Sequence, residues 1–317
     1  MQRRLTAHAI ALRQKLGVAG RPAKVGGSPV NGLPAVEPDA HRNSRQRRSF
    51  LRYRPHMGVD SRAASGFRAV AEDYETGRPT YADVSIDRIF TDLELSIGSR
   101  VLDLAAGTGQ LSRLFRSRVG SVIAVEPVHG MRERIKTTMP GITVLDGTAE
   151  SIPLPDSDVD VVVVGEAFHW FETATATSEI ARVLKPSGGL GLLWNTPIWT
   201  VDTTPWLEDL RRILSHHKES AGEYPAGVTW QKALESTRLF ETLQHTNATH
   251  EQSLGHDAFL AQVASWSWVA NLPEAARRTA LNDVAELVRP LGRIVIPYRT
   301  DLYVGRRQSV PIDDIRP

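Results

Sequence analysis

Short apolar segments alternate with helix-length segments from residue 101 onward, and this alternation restricts the fold more than any other feature of the sequence. The clearest segment is VDVVVVG at residues 159–165, whose consecutive valines are typical of a strand that is covered on both faces. Strands are predicted at residues 101–105, 121–126, 142–146, 159–165 and 189–195. Because helix-length segments lie between these strands, the sequence predicts an α/β fold with a doubly wound parallel sheet.

The pattern changes after residue 199. Helices are predicted at residues 204–220, 227–237, 257–268 and 273–288, and extended segments at 243–254 and 295–305. All seven tryptophans lie between residues 170 and 268, so this half of the sequence carries the aromatic surface. We predict that helical elements around residues 200–290 form a cap beside the sheet.

The first 56 residues differ from the rest in charge. They hold twelve Lys and Arg against two acidic residues, whereas residues 57–317 hold 26 Lys and Arg against 34 Asp and Glu. No sustained hydrophobic period accompanies this basic composition, which is typical of disorder. We predict a disordered basic extension at 1–56 and a folded domain at 57–317. The extension would alternatively bind nucleic acid, act as a transit-like segment, or reflect a true start at Met57.

Composition excludes several kinds of site. The sequence has no cysteine, which rules out disulfides, thiolate metal sites and a thiol nucleophile, and we predict no metal. We find no apolar run long enough for a membrane span and no secretory signal pattern, so a cytoplasmic protein without a membrane partner is expected. The acidic balance of residues 57–317 gives no reason to expect a nucleic-acid partner.

The stretch VLDLAAGTGQ, residues 101–110, ends a predicted strand in a glycine turn. A dinucleotide-binding fold has the pattern G-x-G-x-x-G here, but Ser112 stands where the third glycine would lie. Asp103 precedes the turn, and its charge would repel a pyrophosphate while it suits a ligand with an ammonium group. The turn with Gly107 and Gly109 therefore favours a nucleoside that carries an amino-acid tail.

Two further acidic residues end the next predicted strands. Glu126 is placed to accept hydrogen bonds from both hydroxyls of an unphosphorylated ribose. Asp146 would accept from an adenine amino group, with the backbone of Thr148 and Ala149 at the ring edge; a plain loop with an Asx turn is the alternative. An amino-acid tail, a free ribose and adenine are combined in S-adenosylmethionine, which is the predicted cofactor.

The fourth predicted strand leads into GEAFHWF, residues 165–171. Ligands bind beyond the carboxyl ends of strands in such sheets, so we expect Glu166 to Trp170 to face the cofactor. His169 is the candidate catalytic base because its ordinary pKa of about 6.5 suits proton transfer; a structural, hydrogen-bonded histidine is the alternative. Tyr74 would fold over the cofactor or pack in the core.

Five segments resemble the motifs of class I S-adenosylmethionine-dependent methyltransferases: AEDYETGRPTY, VLDLAAGTGQLS, VIAVEPVHGM, DGTAESIPLPDSDVDVVVVGEAFHWF and RVLKPSGGLGLLW. The nearest likeness is to the small-molecule methyltransferase-domain group with a Phe-His-Trp-Phe element, and it covers roughly residues 65–200. The resemblance implies a Rossmann-like sheet of seven strands with an antiparallel last strand. It also implies that the glycine turn lies under the methionine moiety. The family commonly has glycine at the position of Ala105.

The predicted function is methyl transfer from S-adenosylmethionine to a small-molecule acceptor by in-line displacement. A base is needed only where the acceptor must lose a proton. The alternatives are an RNA or protein methyltransferase, a nicotinamide-dependent enzyme and a non-catalytic nucleotide-binding protein; the oligomeric state is left open. The predicted cofactor residues are Tyr74, Asp103, Ala105, Gly107, Gly109, Glu126, Pro127, Asp146, Gly147, Thr148, Ala149, Glu166 and Ala167. The predicted substrate-pocket residues are Trp170, Trp199, Trp266 and Trp268.

Overall fold

The computed structural model describes residues 77–198, 205–219 and 230–308. The chain divides into two units, Met1–Pro55 and His56–Pro317, and all described residues belong to the second. The predicted basic extension, Tyr74 and Trp199 lie outside the described residues.

The described residues form nine α-helices and seven strands. The helices are α1 (Asp83–Asp92), α2 (Gln110–Phe115), α3 (His129–Thr138), α4 (Thr173–Val183), α5 (Pro205–Glu219), α6 (Trp230–Ser236), α7 (His256–Ala264), α8 (Ser267–Ala270) and α9 (Glu274–Val288). The strands are β1 (Arg100–Leu104), β2 (Ser121–Val125), β3 (Thr143–Leu145), β4 (Val159–Gly165), β5 (Leu184–Pro197), β6 (Gln244–Leu254) and β7 (Ile294–Arg306). A single 3₁₀ turn at Phe168–Trp170 follows β4.

One sheet contains all seven described strands, in the order β3-β2-β1-β4-β5-β7-β6. Strands β1 to β5 are parallel, and β7 runs antiparallel to both β5 and β6. This arrangement confirms the predicted α/β sheet with an antiparallel last strand. Because β1 pairs with β2 on one side and with β4 on the other, the order reverses at β1, where such sheets open a crevice.

Strand β4 explains the continuous apolar run in the sequence. Val162 and Val164 belong to the core between the sheet and helices α4 and α6, whereas Val161 and Val163 belong to the core that α1 and α2 cover. All four side chains are at most 1% exposed. Alternate residues of a strand point to opposite faces, so a strand covered on both sides must be apolar throughout.

The observed ends of two predicted elements differ from expectation. Strand β5, predicted at residues 189–195, begins at Leu184, which pairs with Val159 before an irregularity shifts the register. The predicted helix at 257–268 divides into α7 and α8. Ser265 donates its side-chain hydrogen bond to the Gln262 carbonyl at 2.7 Å, which competes with continued helical bonding.

Helices α5, α7 and α9 pack against one another in the second half of the chain. Leu210, Phe259 and Val284 are fully buried, one from each helix. Trp206 of α5 meets the Phe259 ring edge-on at 6.1 Å. No helix in the described ranges combines the length and the hydropathy that a membrane crossing requires.

Substitution of Gly109 tests how tightly the turn after β1 is packed. Gly141, which follows α3 and also has a left-handed backbone, serves as the control. A Cβ on Gly109 (φ 82°) would collide with Met139 of the segment after α3, whereas a Cβ on Gly141 (φ 92°) would meet nothing within 4 Å. Both alanine variants carry the backbone cost of about 1–2 kcal/mol. The terminal methyl of Met139 can move aside at small cost, so we expect Gly109→Ala to lower the free energy of unfolding by up to about 1 kcal/mol more than Gly141→Ala in urea titrations. Equal losses would contradict this account of the packing.

Candidate functional site

Two adjoining cavities open at the carboxyl ends of β1, β2 and β4. The large cavity has a volume of about 390 Å³ and the small cavity about 90 Å³. Both are lined by the same four residues, Ala105, Gly107, Gly165 and Glu166, which we call the junction. The two cavities therefore meet where β1 and β4 end, at the point of strand-order reversal.

The turn after β1 has an unusual backbone. Ala105, Gly107 and Gly109 have φ values of 57°, 59° and 82°, so three residues of five are left-handed. Glycine adopts this conformation freely, but for alanine it costs about 1–2 kcal/mol. Ala105 and Gly107 line both cavities, whereas Gly109 lines neither and packs against Ile135 of α3 and the neighbouring Met139. Gly109 thus shapes the turn without contacting the cavities.

Asp103 is a buried carboxylate beside the large cavity. Its side chain is 1% exposed, and its Oδ2 accepts hydrogen bonds from the Ser112 amide at 2.8 Å and the Ser112 hydroxyl at 2.6 Å. Burial raises the pKa of Asp103 to about 6, although both bonds from Ser112 lower it. Ser112, which replaces the third glycine of a dinucleotide pattern, therefore holds the acidic group in place.

Glu126 is a second buried carboxylate, and it lines the small cavity. Its Oε2 accepts from the Gly107 amide at 2.9 Å and its Oε1 from the Val128 amide at 2.8 Å. Burial raises the pKa of Glu126 to about 7, and the charge of Asp103 raises it further, while Arg132 opposes the shift. Each carboxylate oxygen keeps a second lone pair, so both still accept bonds from ligand hydroxyls.

Most of the other residues predicted for the nucleoside end line the small cavity. They are Pro127, Gly147, Thr148, Ala149 and Ala167. Asp146 does not line it, because its two oxygens accept from Arg132 at 2.9 Å each. Its assignment to an adenine amino group stays a prediction.

His169 and Glu166 lie in different places although they are three residues apart. His169 is exposed, lines neither cavity and accepts a hydrogen bond at Nδ1 from the Trp194 indole at 3.3 Å. Its role as a catalytic base stays a prediction. Glu166 lines both cavities, has a left-handed backbone (φ 60°) and accepts a hydrogen bond from the Asn195 amide. Burial raises the pKa of Glu166 to about 7, and Arg78 opposes this shift.

Of the tryptophans predicted to form a substrate pocket, Trp266 and Trp268 line the large cavity and Trp170 lines the small one. The remaining one, Trp199, lies outside the described ranges.

Sequence reasoning missed several polar residues of the large cavity, among them Arg78, Arg211, Gln262 and Tyr298. The Tyr298 hydroxyl accepts from Gln262 Nε2 at 2.6 Å, which joins β7 to α7. Arg78 lies in a segment quoted for its family likeness, but the other three lie in no motif. They approach the cavity only through long-range packing.

The polar groups fit a nucleoside with an amino-acid tail. Asp103 offers the large cavity a partner for an ammonium group, and Glu126 offers the small cavity an acceptor for ribose hydroxyls. No Lys or Arg is found among the described residues that line the small cavity, whereas a pyrophosphate would require positive charge or several free amides there. These two carboxylate acceptors, without a basic side chain in the small cavity, therefore suit S-adenosylmethionine better than a dinucleotide.

Comparisons with known proteins agree with this geometry. Residues 102–192 match the family model described as "Methyltransferase domain". The chain is 32% identical over 230 residues to an uncharacterized methyltransferase-like protein of Schizosaccharomyces pombe, covering 72% of this chain and 88% of the relative. It is 34% identical over 222 residues to an uncharacterized methyltransferase of Mycobacterium tuberculosis, covering 70% and 85%.

A solved structure supports the fold alone. A candidate type II methyltransferase from Anaeromyxobacter dehalogenans is 24% identical, and the match covers 72% of this chain and 97% of that protein with a TM-score of 0.54.

The buried carboxylates predict a characteristic pH dependence of stability. Because the pKa values of Asp103, Glu126 and Glu166 are higher in the folded state than in the unfolded chain, the folded state holds more protons between about pH 4 and pH 7. The free energy of unfolding should therefore fall as the pH rises from about 4 to about 7, by on the order of 3 kcal/mol for each carboxylate. Urea titrations from pH 4 to pH 8 measure this loss.

Glu126→Gln should remove the Glu126 part of that loss. The matched control Asp87→Asn, an exposed carboxylate of α1, should keep the wild-type slope because the three buried carboxylates and Arg132 remain unchanged. A Glu126→Gln protein with the full wild-type slope would contradict the assignment.

Proposed function

The chain belongs to the class I S-adenosylmethionine-dependent methyltransferase family, and from this premise we propose that it transfers a methyl group from S-adenosylmethionine to a small-molecule acceptor. It is a transferase of the EC 2.1.1 kind, and its family generally uses S-adenosylmethionine. The acceptor class and the residues that hold the cofactor are the parts we propose.

We assign the two ends of the cofactor to the two cavities. The amino-acid tail would lie in the large cavity, where the buried Asp103 is a partner for its ammonium group. The ribose would lie in the small cavity against Glu126, and adenine between the Gly147–Ala149 backbone and Trp170. The support for this orientation is chemical, because each carboxylate meets the ligand group that it can bind.

The observation that carries the acceptor assignment is the far wall of the large cavity. From the junction the cavity extends to Trp266, Trp268 and Tyr298, which come from α8, the residues before it and β7. Its volume of about 390 Å³ is in the range of small-molecule sites. An RNA acceptor would need clustered basic side chains, whereas residues 57–317 carry an excess of acidic ones.

The chain's own contribution to catalysis is positioning. When bound, S-adenosylmethionine supplies a methyl carbon that its sulfonium has already activated for displacement. The aromatic wall would hold the acceptor on a line with that carbon, and helices α5 and α7, which line the cavity, would help to exclude water. A dedicated base is required only for an acceptor that must lose a proton.

Calorimetry separates the proposed cofactor from a nicotinamide. We expect S-adenosylmethionine and S-adenosylhomocysteine to bind and NAD not to bind. Asp103→Asn and Glu126→Gln should each weaken both adenosyl ligands by about ten- to a hundredfold, because each removes a hydrogen bond to a charged partner. The control Asp158→Asn removes an ion pair with Arg100 away from the cavities and should leave the affinities unchanged. Binding of NAD alone would refute the proposed cofactor.

Transfer of labelled methyl groups tests the acceptor class. The protein is incubated with methyl-labelled S-adenosylmethionine and a cell extract separated into small molecules, RNA and protein. We expect the label in the small-molecule fraction, because helices α5, α7 and α8 narrow the cavity to the volume of a small-molecule site. Label in RNA or protein alone would contradict the proposed acceptor class while leaving methyl transfer intact.

A further inference from the structure

The proposed orientation of the cofactor puts its sulfur atom at the junction. This step rests on the proposed function, which assigns the amino-acid tail to the large cavity and the nucleoside to the small one. The sulfur atom connects these two parts, so it lies where the cavities meet. Of the four junction residues Ala105, Gly107, Gly165 and Glu166, only Glu166 has a side chain that carries charge.

The Glu166 carboxylate is held so that one oxygen stays available. Oε1 accepts the Asn195 amide of β5, while Oε2 makes no hydrogen bond within the described residues and is not closed off from solvent. The backbone amide of Glu166 donates to the Leu193 carbonyl at 2.9 Å, which fixes the residue between β4 and β5. Its left-handed φ of 60° is a strained conformation, and such strain is concentrated at functional sites.

We propose that the Glu166 carboxylate recognises the positive charge on the sulfur of S-adenosylmethionine and thereby distinguishes the methyl donor from its demethylated product. S-adenosylhomocysteine has the same nucleoside and amino-acid tail but a neutral sulfur. A carboxylate in a partly desolvated cavity attracts a nearby cation more strongly than it would in water. After methyl transfer the sulfur is neutral and this attraction is lost. Its loss favours replacement of S-adenosylhomocysteine by another molecule of S-adenosylmethionine.

Other charged groups face Glu166 from the neighbouring elements, but they do not distinguish the two ligands. Arg78 approaches from the segment before α1 and Tyr298 from β7. Asp103 of β1 and Arg211 of α5 line the same cavity. The ligands present identical groups to these residues, so the ratio of their affinities isolates the contact at the sulfur.

The ratio of the affinities for S-adenosylmethionine and S-adenosylhomocysteine should also depend on pH. A cation near Glu166 lowers the pKa of its carboxylate, which burial has raised to about 7. By linkage, the preference for S-adenosylmethionine over S-adenosylhomocysteine should rise between pH 6 and pH 8. Titration of Asp103 and Glu126 affects both ligands alike and cancels in the ratio.

The experiment measures dissociation constants of both ligands by calorimetry at pH 6, 7 and 8. In Glu166→Gln, which keeps an oxygen for the Asn195 amide, we expect the preference for S-adenosylmethionine to fall about tenfold at pH 8, the effect of one pKa unit. Its affinity for S-adenosylhomocysteine should change by less than about twofold. Asp103→Asn is the matched control and should weaken both ligands equally.

An equal effect of Glu166→Gln on both ligands would overturn the inference and leave the proposed function standing. If that variant does not fold, the wild-type pH series decides, and a preference that stays flat from pH 6 to pH 8 overturns the inference. Failure of both ligands to bind the wild-type protein would refute the proposed function itself, and this inference with it.

Discussion

The carboxylate of Glu126 is the interaction on which the site geometry depends. It accepts the amides of Gly107 and Val128, and so ties the turn after β1 to the start of α3. Gly107 lies where the two cavities meet, which makes this bond a constraint on both. Burying the charge raises the pKa of Glu126 and costs stability near neutral pH. The arrangement that lowers stability leaves each oxygen of Glu126 with a second lone pair beside the small cavity.

A second constraint acts at the ends of β1 and β4, the neighbouring strands at which the order of the sheet reverses. Each strand is followed by a left-handed residue other than glycine, Ala105 after β1 and Glu166 after β4. Each conformation costs about 1–2 kcal/mol, and the surrounding hydrogen bonds to β2 and β5 hold it in place. The two sharp exits from the sheet leave the space in which the cavities form.

The sheet could be predicted from the sequence because its signal is local. The valines of β4 must be apolar on both faces, and the helices between the strands have the length of a single crossover. Asp103 and Glu126 could also be selected, since each stands at or next to the carboxyl end of an apolar segment. The residue types of the segment after β4 did not reveal the direction of its backbone. The 3₁₀ turn after Glu166 carries His169 away from the cavities.

Hydrogen bonds between residues distant in the sequence could not be predicted either. Asp146 has the residue type and place expected of a ligand-binding acid, but Arg132 occupies both its oxygens, and no spacing rule distinguishes the two uses. Gln262 and Tyr298 meet through a hydrogen bond between α7 and β7, 36 residues apart. Such contacts follow from helix packing and strand pairing, and the sequence pattern of either element alone contains no trace of the other.

The division of the site between two parts of the chain has a consequence for specificity. The match to the methyltransferase family model, residues 102–192, contains Asp103, Glu126 and Glu166, but neither Trp266 nor Tyr298. The proposed cofactor groups are therefore set by the first half of the sheet, where parallel pairing and two buried faces restrict substitution. The far wall of the large cavity comes from α5, the α7–α8 region and β7, which all lie outside the segment that matches the family model. Because the two sets of residues come from different segments of the chain, the wall that we propose for the acceptor can vary in sequence independently of Asp103 and Glu126.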